Sequence, residues 1–220
     1  MMKSLRYDIE IEEIKPQAKL LDKNLSNIVN MGAAAKLTHE TNDLEDIMVQ
    51  GIGDDNEMQR MTRKMVELGH ESTLEHSYFF LDVICSRVCS HQLVRQRVGT
   101  SYSQRSERYT GFEDGVKVIV PPTIRQDSVR YTTFTKDIKS SVDTYFDLIE
   151  QGVPKEDARF VLPRVATELA FSLNGRSLRH FLKLRYSPHA QWEIRRIATQ
   201  IKQQVEEEFG DCLTFDIEYD

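Results

Sequence analysis

The stretch Ser77-Tyr-Phe-Phe-Leu-Asp-Val-Ile84 is a run of aromatic and β-branched residues, the composition of a buried strand. It leads into Arg87-Val-Cys-Ser-His-Gln-Leu-Val-Arg-Gln-Arg97, which reads as a helix with Gly99 placed to end it. A strand feeding a helix can open a βαβ unit, but the flanking segments do not repeat the alternation. Upstream, Tyr7-Asp-Ile-Glu-Ile-Glu12 alternates as a short strand, and Leu44–Met48 and Met58–Leu68 read as helices, the second ending at Gly69. Downstream, Val116–Val120 is a predicted strand stopped by Pro121-Pro122, and Ser128–Ile149 a long amphipathic helix. Pro154–Arg159 starts another helix, Pro163 interrupts the chain, Thr167–Leu173 is a predicted strand and Asn174-Gly175 a turn. Ser177–Arg185 is predicted helical, as is Ala190–Phe209, with Leu213–Ile217 as a closing strand. Helices and strands mix irregularly, so the predicted class is α+β: a single domain over residues 1–220 with a central mixed or antiparallel sheet packed by helices.

The composition supports one folded unit. At 220 residues and 40% hydrophobic, the chain is long enough to bury roughly 70% of its unfolded surface. No apolar run approaches the roughly 20 residues of a membrane helix. Met1-Met2-Lys3-Ser4-Leu5-Arg6 has a basic start without an apolar segment behind it, so no signal peptide and no membrane partner are expected. Cys85, Cys89 and Cys212 are an odd set and form no disulfide framework, which fits a reducing cytoplasm. Cys85 and Cys89 read as small core residues.

The net charge of −6 argues against a general nucleic-acid partner, but its distribution is uneven. Residues 1–60 carry seven basic and twelve acidic side chains. By contrast, residues 87–108 hold Arg87, Arg95, Arg97, Arg105 and Arg108 with one acid, Glu107. Residues 176–196 hold Arg176, Arg179, Lys183, Arg185, Arg195 and Arg196, again with one acid, Glu193. Guanidinium forks match phosphate and carboxylate geometry, so these clusters point to anion pockets, with solvated helix faces as the alternative.

Standard motifs are absent. Gly51-Ile-Gly53 begins like a dinucleotide fingerprint but position 56 is Asn, and no phosphate loop ending in Gly-Lys-Ser/Thr exists. The segment Gly69-His-Glu-Ser-Thr-Leu-Glu-His76 lacks the histidine spacing of a zinc motif, and no metal is expected; His70 and His76 are open to a site role or a core role. Gln92 and Arg95 would share a helix face, whereas Arg95 and Arg97 stand about 200° apart on an ideal helix. They therefore address different groups or sit where the helix unwinds. Beyond Gly99, Thr100–Tyr109 reads as a loop of hydroxyls, an amide and further arginines.

Arg95-Gln96-Arg97, followed by Ser106 and Arg108, resembles the signature of the flavin-dependent thymidylate synthases: Arg-His-Arg, seven residues, Ser and, two later, Arg. Here Gln96 replaces the central His, and eight residues separate Arg97 from Ser106, one more than the signature has. The segments His70-Glu-Ser-Thr-Leu-Glu-His76, Arg159-Phe-Val-Leu-Pro163, Asn174-Gly-Arg-Ser-Leu-Arg-His-Phe-Leu-Lys-Leu-Arg185 and His189-Ala-Gln-Trp-Glu-Ile194 are similar to the same family's motifs.

The resemblance implies conversion of dUMP to dTMP with FAD as cofactor and NADPH and methylenetetrahydrofolate, a folate, as co-substrates. It implies a homotetramer with shared active sites. It assigns FAD contacts to Ser72, Arg95, Gln96, Arg97, Gln104, Asn174, Gly175, Arg176 and His180. It assigns dUMP contacts to Gln92, Leu93, Val94, Arg95, Gln104, Arg105, Ser106, Glu107, Arg108, Arg159 and Arg185. Arg185 is the candidate catalytic residue, because a cation beside the uracil ring amide favours loss of the N3 proton and electron density toward C5. Its bland alternative is a surface ion pair. Ser106 reads as a binding group, since no base is evident beside it. Competing readings are a non-catalytic nucleotide- or flavin-binding relative and an RNA-binding module that stacks bases on Tyr102 and Tyr109.

Overall fold

A computed structural model describes residues 2–3, 6–7, 9–23, 26–112 and 114–219. The chain opens with strands β1 (Met2–Lys3), β2 (Glu10–Glu13) and β3 (Gln17–Leu20), then helices α1 (Ser26–Leu37), α2 (Leu44–Gly51) and α3 (Asp55–Glu67). A 3₁₀ turn over Glu71–His76 leads into β4 (Phe79–Ser86), α4 (Arg87–Leu93), β5 (Thr100–Gln104) and β6 (Val116–Val118). Then come α5 (Pro122–Arg125), α6 (Ser128–Glu150), α7 (Lys155–Ala158), β7 (Ala166–Leu173), α8 (Gly175–Arg185) and α9 (Trp192–Phe209). The α+β class expected from the sequence is what forms.

The chain builds two compact units, each from separate stretches. The first draws on residues up to Pro16, Ile84–His91 and Gln104–Leu169. Its sheet runs β1-β2-β6, with β1 antiparallel and β6 parallel to β2, pairing Ile11 with Val116 and Glu13 with Val118. Ile11, Val116 and Val118 turn inward and pack with Ile138 and Val142 of α6 and with Val165. The Asp127 carboxylate accepts the Arg130 N–H at 2.9 Å and caps α6 at the predicted start.

The second unit comprises Gln17–Val83, Gln92–Ser103 and Ala170–Asp220 and holds β3, Phe79–Val83 of β4, Ala170–Leu173 of β7 and Thr100–Ser103 of β5, strands whose sheet order is β3-β4-β7-β5. Its edge strand β3 is closed by side chains of α9 rather than by another strand. Gln200 Oε1 accepts from Ala18 N–H at 2.7 Å, Gln204 Oε1 accepts from Leu20 N–H at 2.9 Å, and Gln204 Nε2 donates to Ala18 O at 2.8 Å. Ile194, Ile197, Ala198, Ile201, Val205 and Phe209 form the buried stripe of α9, and each large apolar side chain contributes about 1.5–3 kcal/mol on burial. Gly69 ends the α3 segment with φ of +72°; its N–H donates to Val66 O and the His70 N–H to Met65 O.

Several expectations are corrected. The α4 helix stops at Leu93, four residues before Arg97, so Gln92 and Arg95 do not share a helix face. Thr100–Gln104 is a strand rather than a loop. Asn174-Gly175 is a helix start: Asn174 Oδ1 accepts the Ser177 N–H at 2.9 Å as the cap of α8. Leu213–Ile217 folds into turns, with Thr214 and Phe215 N–H groups both donating to Asp211 O. The strand expected over residues 7–12 falls on Glu10–Glu13, and Asp8 lies outside the described residues. His70 and His76 are exposed rather than core. The three cysteines are buried and form no disulfide among the described residues, and burial, with Asp211 nearby, pushes the Cys212 thiol up to about 12. Among the described residues no helix is long and apolar enough to cross a membrane.

Candidate functional site

In the second unit, α4 ends and the chain continues as an irregular loop from Val94 to Gly99, then enters β5. Four carbonyls of this region are tied down. The Tyr102 hydroxyl lies 2.7 Å from Leu93 O and 2.8 Å from Gln96 O, and its single proton serves both. Thr100 Oγ1 donates to Gln96 O at 2.9 Å, Ser177 Oγ to Val98 O at 2.6 Å, and Asn174 N–H to Gly99 O at 3.1 Å. The Tyr102 ring stacks on Phe171 with centroids 4.9 Å apart, and burial raises its phenol above the ordinary tyrosine value.

Gly99 is required by this arrangement. Its φ is +63°, and a Cβ there would stand 2.5 Å from both Asn174 Nδ2 and Ser177 Oγ. Gly175 is needed for a similar reason: its N–H donates to Ser77 Oγ at 2.9 Å, and a Cβ would lie 2.9 Å from Leu74 O. The Glu71–His76 turn and the 94–99 loop thus each meet the start of α8, which brings the loop carrying Gln96 and Arg97 to Asn174 and Gly175 of the expected FAD contacts, whereas Ser72 lines a separate pocket with Asn30, Leu37 and Met48. Arg95 and Arg97 are exposed, and among the described residues neither guanidinium has an ion-pair partner. His180 is exposed on α8.

The first half of the second arginine cluster, Arg176, Arg179 and Lys183, is neutralised by its own unit. Arg179 is 1% exposed and forks onto Asp216 at 2.8 Å through both terminal nitrogens, while its Nη1 also reaches Leu213 O and its Nε approaches Glu71 at 3.3 Å. The Arg179 hydrogen bond holds the Asp216 carboxyl below the usual carboxylate range despite its partial burial. Arg176 pairs with Glu75 at 2.7 Å, and Lys183 lies 3.6 Å from Asp216. The reading of residues 176–196 as an anion pocket is therefore corrected for Arg176, Arg179 and Lys183, whose balancing acids come from positions 71, 75 and 216, far away in sequence, while Arg185, Arg195 and Arg196 have no ion-pair partner among the described residues. Arg185, at the end of α8, is partly exposed and has no ion-pair partner among the described residues, so its surface-pair alternative does not form.

In the first unit, Gln104 Nε2 donates to Ser90 Oγ at 3.3 Å and Thr167 Oγ1 at 3.2 Å, and Arg105 pairs with Glu168. Ser106 Oγ accepts the Arg108 N–H at 3.2 Å, and no carboxylate or imidazole among the described residues bonds to it, as suits a binding group better than a nucleophile. Arg108 Nε meets Glu156 Oε2 at 2.6 Å, and Arg159 Nε donates to Glu156 O at 3.1 Å, so the two arginines expected at dUMP share one acidic residue. Beside them is a cavity of about 460 Å³ lined by Arg87, His91, Glu107, Arg159, Phe160 and Arg164 among others. Arg87 Nε donates to Glu107 at 2.8 Å, leaving the lining rich in cationic groups. Phe160 and Arg164 were missed as lining residues, although Phe160 lies within the quoted Arg159–Pro163 motif and Arg164 directly follows it. Gln92, Leu93, Val94, Arg95 and Arg185 lie in the other unit, where Leu93 is fully buried and offers no free side chain.

The described residues thus form an α+β chain in which a glycine-permitted loop holds Arg95 and Arg97 exposed. Its fold is shared with a crystal structure titled as a UMP/dUMP methylase PolB from Streptomyces cacaoi bound with 5-Br dUMP, at a TM-score of 0.77 and 23% identity over 94% of this chain and 97% of that one. The sequence pattern of the thymidylate synthase complementing protein family matches residues 19–209, and the chain belongs to that family. Proteins named flavin-dependent thymidylate synthase are similar to it. The one from Geobacter sulfurreducens is 44% identical over 141 residues, which is 63% of this chain and 60% of that protein. The one from Saccharolobus solfataricus is 42% identical over 154 residues, 69% of this chain and 58% of that protein. The chain thus spans about 60% of the length of the curated relatives it matches.

Proposed function

We propose that this protein catalyses the flavin-dependent reductive methylation of dUMP to dTMP, with FAD bound and with methylenetetrahydrofolate and NADPH as co-substrates. The observation that carries this reading is the family match over residues 19–209, which includes every segment singled out for the site. The residues fit an anionic dinucleotide: Arg95 and Arg97 are exposed, have no ion-pair partner among the described residues, and sit on a loop that packs against Asn174 and Ser177 through Gly99. Arg176 fits less directly, because Glu75 and Glu71 already hold it.

When bound, FAD supplies the hydride chemistry. The protein's share is to bind, orient and polarise. Arg108 and Arg159 take the nucleotide phosphate, with Ser106 and Gln104 as neutral hydrogen-bonding partners. Arg185, brought to the nucleotide by the shared-site assembly proposed below, is assigned to the uracil amide, where its charge favours the anionic N3 form and so raises electron density at C5 for the incoming carbon. Gln96, a neutral hydrogen-bonding group at the family's His position, retunes the flavin contact. We further propose a homotetramer with shared sites, acting in a reducing cytoplasm without nucleic-acid or membrane partners. An RNA-binding role loses one of its two stacking platforms, because the Tyr102 ring is already stacked on Phe171, while Tyr109 stays exposed.

The test is dTMP formation by the purified protein supplied with FAD, dUMP, methylenetetrahydrofolate and NADPH, with nucleotides separated by chromatography. The expected result is dTMP that requires every component, and an Arg185→Ala variant that keeps flavin absorbance but loses turnover. A folded, FAD-loaded protein that makes no dTMP would instead be a non-catalytic flavin- or nucleotide-binding relative.

A further inference from the structure

We propose that the hydroxyls of Ser177 and Tyr102 are a clasp that positions the Arg95–Arg97 loop for its anionic ligand; the ligand half of this proposal rests on the flavin reading above. The loop has lost helical support. The α4 helix ends at Leu93, and only the Gln96 N–H bond to Leu93 O and a long 3.4 Å contact from Arg95 N–H to Gln92 O continue it. What fixes the next residues is side-chain chemistry from elsewhere. Tyr102 reaches back to the carbonyls of Leu93 and Gln96, and Ser177 reaches across from α8 to Val98 O. The anchored carbonyls bracket Arg95 and Arg97, while the two arginine side chains stay exposed.

The clasped stretch also lies within the interval whose length departs from the signature the chain resembles. Between Arg97 and Ser106 the chain carries eight residues against seven in the family signature, and Val98-Gly99 is the stretch that Ser177 and Asn174 seize. A longer loop has more conformations to lose on binding, and anchoring its carbonyls removes that loss in advance. Arg95 and Arg97 would otherwise carry their charge on a backbone free to move away from the ligand.

Each hydroxyl can be deleted without removing its neighbours' structure. Ser177 N–H is capped by Asn174 Oδ1 independently of Ser177 Oγ, so Ser177→Ala leaves the start of α8 intact. Tyr102→Phe keeps the ring that stacks on Phe171. The experiment is hydrogen–deuterium exchange of residues 94–99 together with FAD titration by flavin fluorescence, on the parent, the Ser177→Ala/Tyr102→Phe double variant and Ser177→Thr. The double variant is expected to exchange the loop amides about tenfold faster and to bind FAD about tenfold more weakly. Ser177→Thr, which retains the hydroxyl, is expected to stay near the parent in both. Unchanged exchange in the double variant overturns the clasp. Faster exchange with unchanged FAD affinity overturns its positioning role. A parent that binds no FAD defeats the flavin reading and the ligand half of this proposal, and the exchange data then decide the clasp alone.

Discussion

Replacing Arg179 by Met tests the most heavily engaged charge in the molecule. The guanidinium is 1% exposed and satisfies both oxygens of Asp216, the Leu213 carbonyl and one oxygen of Glu71. Methionine keeps much of the volume and supplies none of the donors. Removing one partner of a fully buried ion pair costs about 3–5 kcal/mol. The stranded carboxylates keep some water, with side-chain exposures of 35% for Asp216 and 28% for Glu71, which lowers the expected loss to about 2–3 kcal/mol. At roughly 2–4 °C per kcal/mol for a chain of this size, melting falls by about 4–12 °C. The pH dependence has a definite sign. Asp216 has a folded pKa below its unfolded one, so its contribution is fully present above an unfolded value of about 3.9 and is lost as pH falls through the folded value. The gap between parent and variant should therefore be widest near neutrality and narrow in acid below about pH 4. Thermal and urea unfolding at both pH values measure this. A variant melting within about 1 °C of the parent at pH 7 would refute the role given to Arg179.

Gly99→Ala combines a left-handed backbone angle, worth about 1–2 kcal/mol, with a Cβ 2.5 Å from Asn174 and Ser177. It should lower stability by at least that amount in urea melts, and a neutral result would contradict the packing described. Arg108→Ala removes an exposed pair with Glu156 and should change stability by no more than about 1 kcal/mol. The same variant should weaken dUMP binding severalfold by isothermal titration; an unchanged dissociation constant would remove Arg108 from the nucleotide site.

Much of the frame was readable because its helices are amphipathic. The α3, α6 and α9 stripes repeat at helical spacing, and their starts and stops carry Asp127, Gln191 and Gly69. Helix α1 gave no such signal, since Ile28, Val29, Met31, Gly32, Ala33 and Ala35 bury it nearly all round. Its Gly32 is needed because a Cβ would stand 2.8 Å from the Met58 backbone, a constraint only the packed structure contains. Thr100–Gln104 is too polar to announce a strand, and Leu213–Ile217 alternates like one but is bent into turns and tied to Arg179. The site was legible as arginine-rich motifs. Which arginines are spare was not, because Glu71, Glu75, Glu156 and Asp216 lie far from their partners along the chain.

The central claim is that arginines from separated segments bind one pyrimidine nucleotide, and a crystal structure of the protein soaked with dUMP tests it most directly. The phosphate should lie within hydrogen-bond distance of Arg108 and Arg159, with Arg185 against the uracil amide. A well-ordered nucleotide that touches none of the three would contradict the account.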